Sequence, residues 1–293
     1  MKWEDFRSSG NVEDRRGFSM PGGRGGGIGI GTLIVVGLVG WALGINPLVL
    51  LSGLDAIQGG GSGYSQQSAP TQQGTRGAPS DELGRFASKV LAQTEDVWTE
   101  IFRQQGKTYK DPTLVLFSGA TRSACGGASS AMGPFYCPND QKVYLDLTFF
   151  QEMKTRFRAP GDFAAAYVIA HEVGHHVQNL IGILPKVQEA RRNARTERES
   201  NALSVRTELM ADCLAGVWAH HADARFQVLE PGDVQEALNA AAAIGDDTLQ
   251  KRSQGTIVPD SFTHGSSQQR VTWFTRGLKT GSMQQCNTLQ GPI

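Results

Sequence analysis

The chain has no net charge. Its 293 residues carry 28 Lys and Arg against 28 Asp and Glu. That balance argues against a broadly basic nucleic-acid binder and against an acidic solvating tail. There is no internal repeat. Cysteine is scarce, with four residues, and no two stand in a C-x-x-C spacing, which argues against a structural zinc site built on cysteine. Glycine is unevenly spread: 19 of the 36 fall within the first 79 positions. A Gly-rich front section therefore precedes an ordinary globular one, and a hydrophobic content of 39% is enough for a real core.

In the front section, residues 1–27 are polar and Gly-rich and are expected to be a disordered tail with no packed fold. From Ile28 to Leu51 no residue is charged. As a helix, this stretch would reach about 36 Å, enough to span a bilayer. Its glycines fit a soluble core helix poorly, and the long polar region before it fits a cleaved signal peptide poorly. The basic residues Lys2, Arg7, Arg15, Arg16 and Arg24 precede it, and the next one is Arg76. The positive-inside rule then gives a single-pass inner-membrane protein. Its N-terminus would lie in the cytoplasm, and its main domain would be periplasmic. Residues 52–79, rich in Gly, Ser and Gln, read as a flexible linker.

Residues 80–293 read as a mostly helical α+β domain with a small sheet. Ser80 is expected to cap a helix through about Gln105, with Leu83, Phe86, Val90, Leu91, Val97, Ile101 and Phe102 on its apolar face. Thr113–Phe117 and Lys142–Phe150 read as strands, the second running on into a helical turn. The second has two readings: an ordinary partly buried strand, or a free edge that binds an extended peptide. Helices follow from Asp162, over about Gln188–Ala224, from Val234 to about Ile244, and from about Ser267 to Leu278.

The chemistry centres on His171-Glu172-Val173-Gly174-His175, an H-E-x-x-H. Residues four apart share a helix face, so both imidazoles can hold one Zn²⁺, with Glu172 in reach as general base. No charged residue lies between Phe163 and Ala170. Two His and a Glu on so apolar a helix need partners. The metzincin extension fails, because Gln178 and Ile181 stand where Gly and His belong. A Glu from a second helix is the other common third ligand, and Glu208 in Glu208-Leu209-Met210-Ala211-Asp212 fits. Asp212, one turn on, is placed to accept a hydrogen bond from a ligand His. His176, His220 and His221 read as structural or surface residues.

H-E-x-x-H paired with a later E-x-x-A-D resembles the gluzincin metallopeptidases. Thr263-His264-Gly265-Ser266-Ser267-Gln268-Gln269-Arg270-Val271 resembles the T-H-P-x-x-x-x-R-I segment of their membrane-embedded members, with Gly265 in place of Pro. Over nearly its full length the chain resembles the YpfJ-like neutral zinc metallopeptidases of bacteria. The resemblance implies a zincin-like fold, one Zn²⁺ per chain and a peptide or protein substrate. It also implies a catalytic role for His264, at the oxyanion or in placing substrate. Arg270 would hold an acidic group, either Asp212 or one on the substrate.

Four cysteines outside the cytoplasm are compatible with two disulfides, and three connectivities are open. Cys125–Cys137 would close a short loop, and Cys213–Cys286 would tie the C-terminal tail to the second ligand helix. The leading expectation is a membrane-anchored zinc endopeptidase. The alternatives are a zinc-stabilised envelope protein without turnover and a metal-free scaffold.

Overall fold

The computed structural model describes residues 1–17 and 74–293. The expected membrane segment, 28–51, and most of the expected linker lie outside them. Among the described residues no helix is long and apolar enough to cross a membrane. The described residues form a mostly helical fold with a small sheet, and the membrane helix expected ahead of it is not among them.

For residues 1–17 the expected disordered tail is corrected, while 18–27 lie outside the described residues. Val12–Asp14 forms β1, inside a five-stranded sheet of order β2-β1-β3-β7-β6. Strand β2 is Thr75–Arg76, β3 Thr113–Phe117, β6 Phe135–Cys137 and β7 Lys142–Asp146. β1 runs parallel to β3, with Val12 opposite Leu114, and antiparallel to β2, with Asp14 opposite Thr75. The expected topology, with the N-terminus in the cytoplasm and the rest outside, turns on the segment that lies outside the described residues. Val12 is buried, and the Trp3 ring meets Phe86 edge-on with centroids 5.3 Å apart. Glu13 is held by Arg15 and Lys142, each at 2.8 Å.

Helix α1, Glu82–Gln104, is capped by Asp81 rather than Ser80: its carboxylate accepts from the Gly84 N–H at 3.0 Å. Its buried face includes Phe86, Val90, Leu91, Trp98 and Phe102, while Leu83 is exposed. Strands β4, Ala120–Ser123, and β5, Gly126–Ser129, form a separate hairpin. The expected second strand stops at Asp146, and α2 covers Thr148–Thr155. β7 is paired on both sides, with β3 and β6. Among the described residues, the sheet edge on that side is therefore β6, not the strand from Lys142.

Helix α3, Asp162–Leu180, is buried along nearly its whole length. The long helix expected from Gln188 is two helices, α4 (Ile183–Arg192) and α5 (Glu197–Phe226). Thr196 starts α5 afresh, because its side chain accepts from the Glu199 N–H. Then come α6 (Asp233–Ala243), α7 (Asp246–Gln254) and α8 (Ser267–Thr280). A capping box between Ser266 and Gln269 opens α8, which fixes Arg270 in its first turn.

Two glycine contacts set how closely α5 meets its partners. A Cβ on Gly277 would lie 1.9 Å from the Cys213 carbonyl oxygen, and one on Gly216 would lie 2.2 Å from that of Phe274. Only glycine lets α5 and α8 approach this far. The Cys213–Cys286 disulfide pins the C-terminal tail to α5, and Cys125–Cys137 ties the β4–β5 turn to β6.

Candidate metal centre

Tyr167, His171, His175 and Gln178 follow one another at spacings of four, four and three, along one face of α3. Glu208 and Asp212 are four apart on α5, which packs against that face. The two helices meet at Gly174, where a Cβ would stand 3.0 Å from the Ala211 carbonyl oxygen. One nitrogen from His171, one from His175 and one oxygen from Glu208 all lie within 4.8 Å of one another. Nε2 of His171 is 3.1 Å from Glu208 Oε2, and Nε2 of His175 is 3.5 Å from Oε1.

The other ring nitrogens have partners of their own. His171 Nδ1 is 2.8 Å from Asp212 Oδ1, and His175 Nδ1 is 3.0 Å from Gln178 Oε1. Asp212 is fully buried. Arg270 grips it with two bonds of 2.9 Å, from Nε and Nη2, and Tyr167 donates to it at 2.5 Å. The acidic partner of Arg270 is thus Asp212.

Electrostatics follow from this packing. Burial works against a charged His171, but Asp212 and Glu208 outweigh it and lift the imidazole to about 10. His175 is raised against the same burial, chiefly by Glu208. Burial pushes Glu208 upward, yet the two imidazoles hold it well below the usual carboxylate range. Against its own burial, Asp212 is held at about 2 by Arg270 and His171. Burial raises the Glu172 carboxyl above its ordinary value. Without metal the centre therefore draws protons onto its imidazoles, and the same field favours a divalent cation. Two imidazole nitrogens and a carboxylate, with the far side of each ring hydrogen-bonded, match the donor set of a His₂Glu zinc site.

The centre opens into a cleft of about 590 Å³. Glu172 and His264 line it, as do Phe135 and Tyr136 of β6, Phe149, Val168, Leu184 and Val187. His264 is half exposed, at 52% of its side chain. Its Nδ1 lies 3.2 Å from Asp246, and this hydrogen bond raises the imidazole above its ordinary value. The other carboxylate oxygen of Asp246 accepts from the backbone N–H groups of Thr263, His264 and Gly265.

The remaining histidines sit elsewhere. His176 is fully buried away from the centre, between the Lys110 carbonyl at 2.6 Å and Tyr136 OH at 3.0 Å. His220 and His221 contact the carbonyls of Leu278 and Gly281.

Sequence reasoning missed Tyr167, Gln178 and Asp246. The first two carry a signal, because they are polar-tipped residues in register with the ligand face of an apolar helix. Asp246 carries none beyond an acidic helix start.

With this geometry in hand, comparison with known proteins decides the family. Residues 1–289 match the family described as "Putative neutral zinc metallopeptidase". The chain belongs to this family. It is 51% identical over 301 residues to the uncharacterized protein YpfJ of Escherichia coli K12, covering 98% of both chains. It is 43% identical over 217 residues to the uncharacterized protein Rv2575 of Mycobacterium tuberculosis H37Rv, covering 71% of this chain and 72% of the relative. No solved structure matches it.

Proposed function

We propose that this family member is a zinc-dependent endopeptidase in which His171, His175 and Glu208 hold one Zn²⁺ per chain. The observation that carries this reading is the cluster of three donor atoms within 4.8 Å, in the same cleft as a buried carboxyl, Glu172. When bound, zinc supplies Lewis-acid chemistry, polarising a carbonyl and acidifying water.

The chain's own groups do the rest. Glu172 takes the proton of the attacking water and delivers it to the leaving amine. Burial raises it above the ordinary carboxylate value, the direction that strengthens a general base. His264, held through Nδ1 by Asp246, donates to the oxygen on which negative charge develops. Asp212, itself fixed by Arg270 and Tyr167, holds His171 so that Nε2 faces the metal position. An extended substrate pairs along the outer edge of β6, with apolar side chains among Phe149, Leu184 and Val187. The two disulfides support a site of action outside the reducing cytoplasm.

The test is cleavage of a peptide library by the purified full-length chain, wild type beside Glu172→Gln. The expected result is zinc retained in both and turnover lowered about 10²–10⁴-fold in the variant, the usual share of a general base. Equal turnover in the two would contradict the assignment.

A further inference from the structure

We infer that Gln178 is a positioning residue that sets the proton of His175 and couples the two ligand-bearing helices. The inference rests on the zinc-site reading above. Hydrogen-bond direction decides the assignment. The Thr207 carbonyl oxygen can only accept, so the end of the Gln178 amide that lies 2.7 Å from it is the NH₂. That leaves Oε1 against His175 Nδ1, at 3.0 Å. Oε1 carries no hydrogen, so Nδ1 must. A neutral imidazole protonated at Nδ1 has a bare lone pair at Nε2, the atom that faces Glu208.

Gln178 is fully buried, so water does not substitute for either partner. Thr207 directly precedes Glu208 in the chain. One amide thus joins the imidazole of a ligand on α3 to the backbone beside a ligand on α5.

The two histidines are supported differently. His171 leans on a carboxylate whose charge is offset by Arg270. His175 leans on a neutral amide. A carboxylate at 178 would still accept from Nδ1, but its second oxygen would face the Thr207 carbonyl, with no hydrogen between them. An amide satisfies both partners, which explains why Gln rather than Glu occupies this position.

The test uses the full-length chain, wild type beside the near-isosteric Gln178→Met, titrated with zinc against a chromophoric chelator. The expected result is zinc affinity weakened about 10–100-fold in the variant, the usual cost of losing such a partner. A second readout needs no variant: in zinc-loaded wild type with ¹⁵N-labelled histidine, the His175 ring should carry its proton on Nδ1. Equal zinc affinity in wild type and Gln178→Met would overturn the inference while leaving the zinc site standing, and a His175 ring protonated at Nε2 would overturn the inference together with ligation through that atom. Failure of the wild type itself to bind zinc would remove the site reading and the inference together.

Discussion

The N-terminal strand and the α3–α5 helix pair each bury a carboxylate, by different means. Glu13 sits between Arg15, two residues away, and Lys142, 129 residues away, on a strand of three residues. Asp212 sits among Arg270, Tyr167 and His171, on helices of 30, 14 and 19 residues. The Glu13–Lys142 pairing exists only because β1 docks on β3. The second is built from helix faces that repeat every three to four residues. One region is therefore assembled by tertiary contact alone, and the other is prefigured by local periodicity.

The sharpest way to break this comparison is Asp212→Ala. It leaves the buried Arg270 guanidinium without its partner, and breaking a buried pair this way costs about 3–5 kcal/mol. Urea denaturation of the chelated protein measures it. A cost below about 1 kcal/mol would mean that the cluster is solvated rather than dry.

Val12→Ala tests the other region. Val12 is buried against the core, and shortening it should cost about 2 kcal/mol, read in the same denaturation curves. No measurable loss would return residues 1–17 to the status of a tail.

The smallest and most discriminating effect is in pH. Burial works to raise Glu13, but Arg15 and Lys142 outweigh it and hold the carboxyl at about 2, below its ordinary 4.5. Its contribution is present above pH 4.5 and fades as pH falls toward 2. His171, lifted against burial to about 10 from an ordinary 6.5, behaves oppositely. In the metal-free chain its contribution is complete below pH 6.5 and is lost as pH rises through 10. Melting temperatures of the chelated protein should show Glu13→Gln converging on wild type in acid and His171→Gln converging on it in alkali. A reversed or shared pH window would contradict both assignments.

These contrasts explain what was legible in the sequence. His171, His175, Glu208 and Asp212 could be read because helix geometry converts spacing into proximity, and the surrounding residues are too apolar to tolerate idle charge. The strand Thr113–Phe117 and the helix starting at Asp162 were legible for the same reason. β1 was not, because Val12-Glu13-Asp14 is too short for a period and its burial depends on a strand about a hundred residues away. Residues 1–17 were judged by composition, which says nothing about a docking edge. The break between α4 and α5 was missed because the residues around Asn193 and Thr196 continue a helical composition; only the Thr196 cap marks it. Gln178 was noticed merely as a departure from another motif. Its partner, the Thr207 carbonyl, is backbone and has no sequence signature at all.

The most direct test of the account is zinc stoichiometry of the purified full-length chain, measured by elemental analysis for wild type, Glu172→Gln and Glu208→Ala. The account predicts one zinc per chain in wild type, retained in Glu172→Gln and weakened in Glu208→Ala. A folded wild-type protein that takes up no zinc would contradict it.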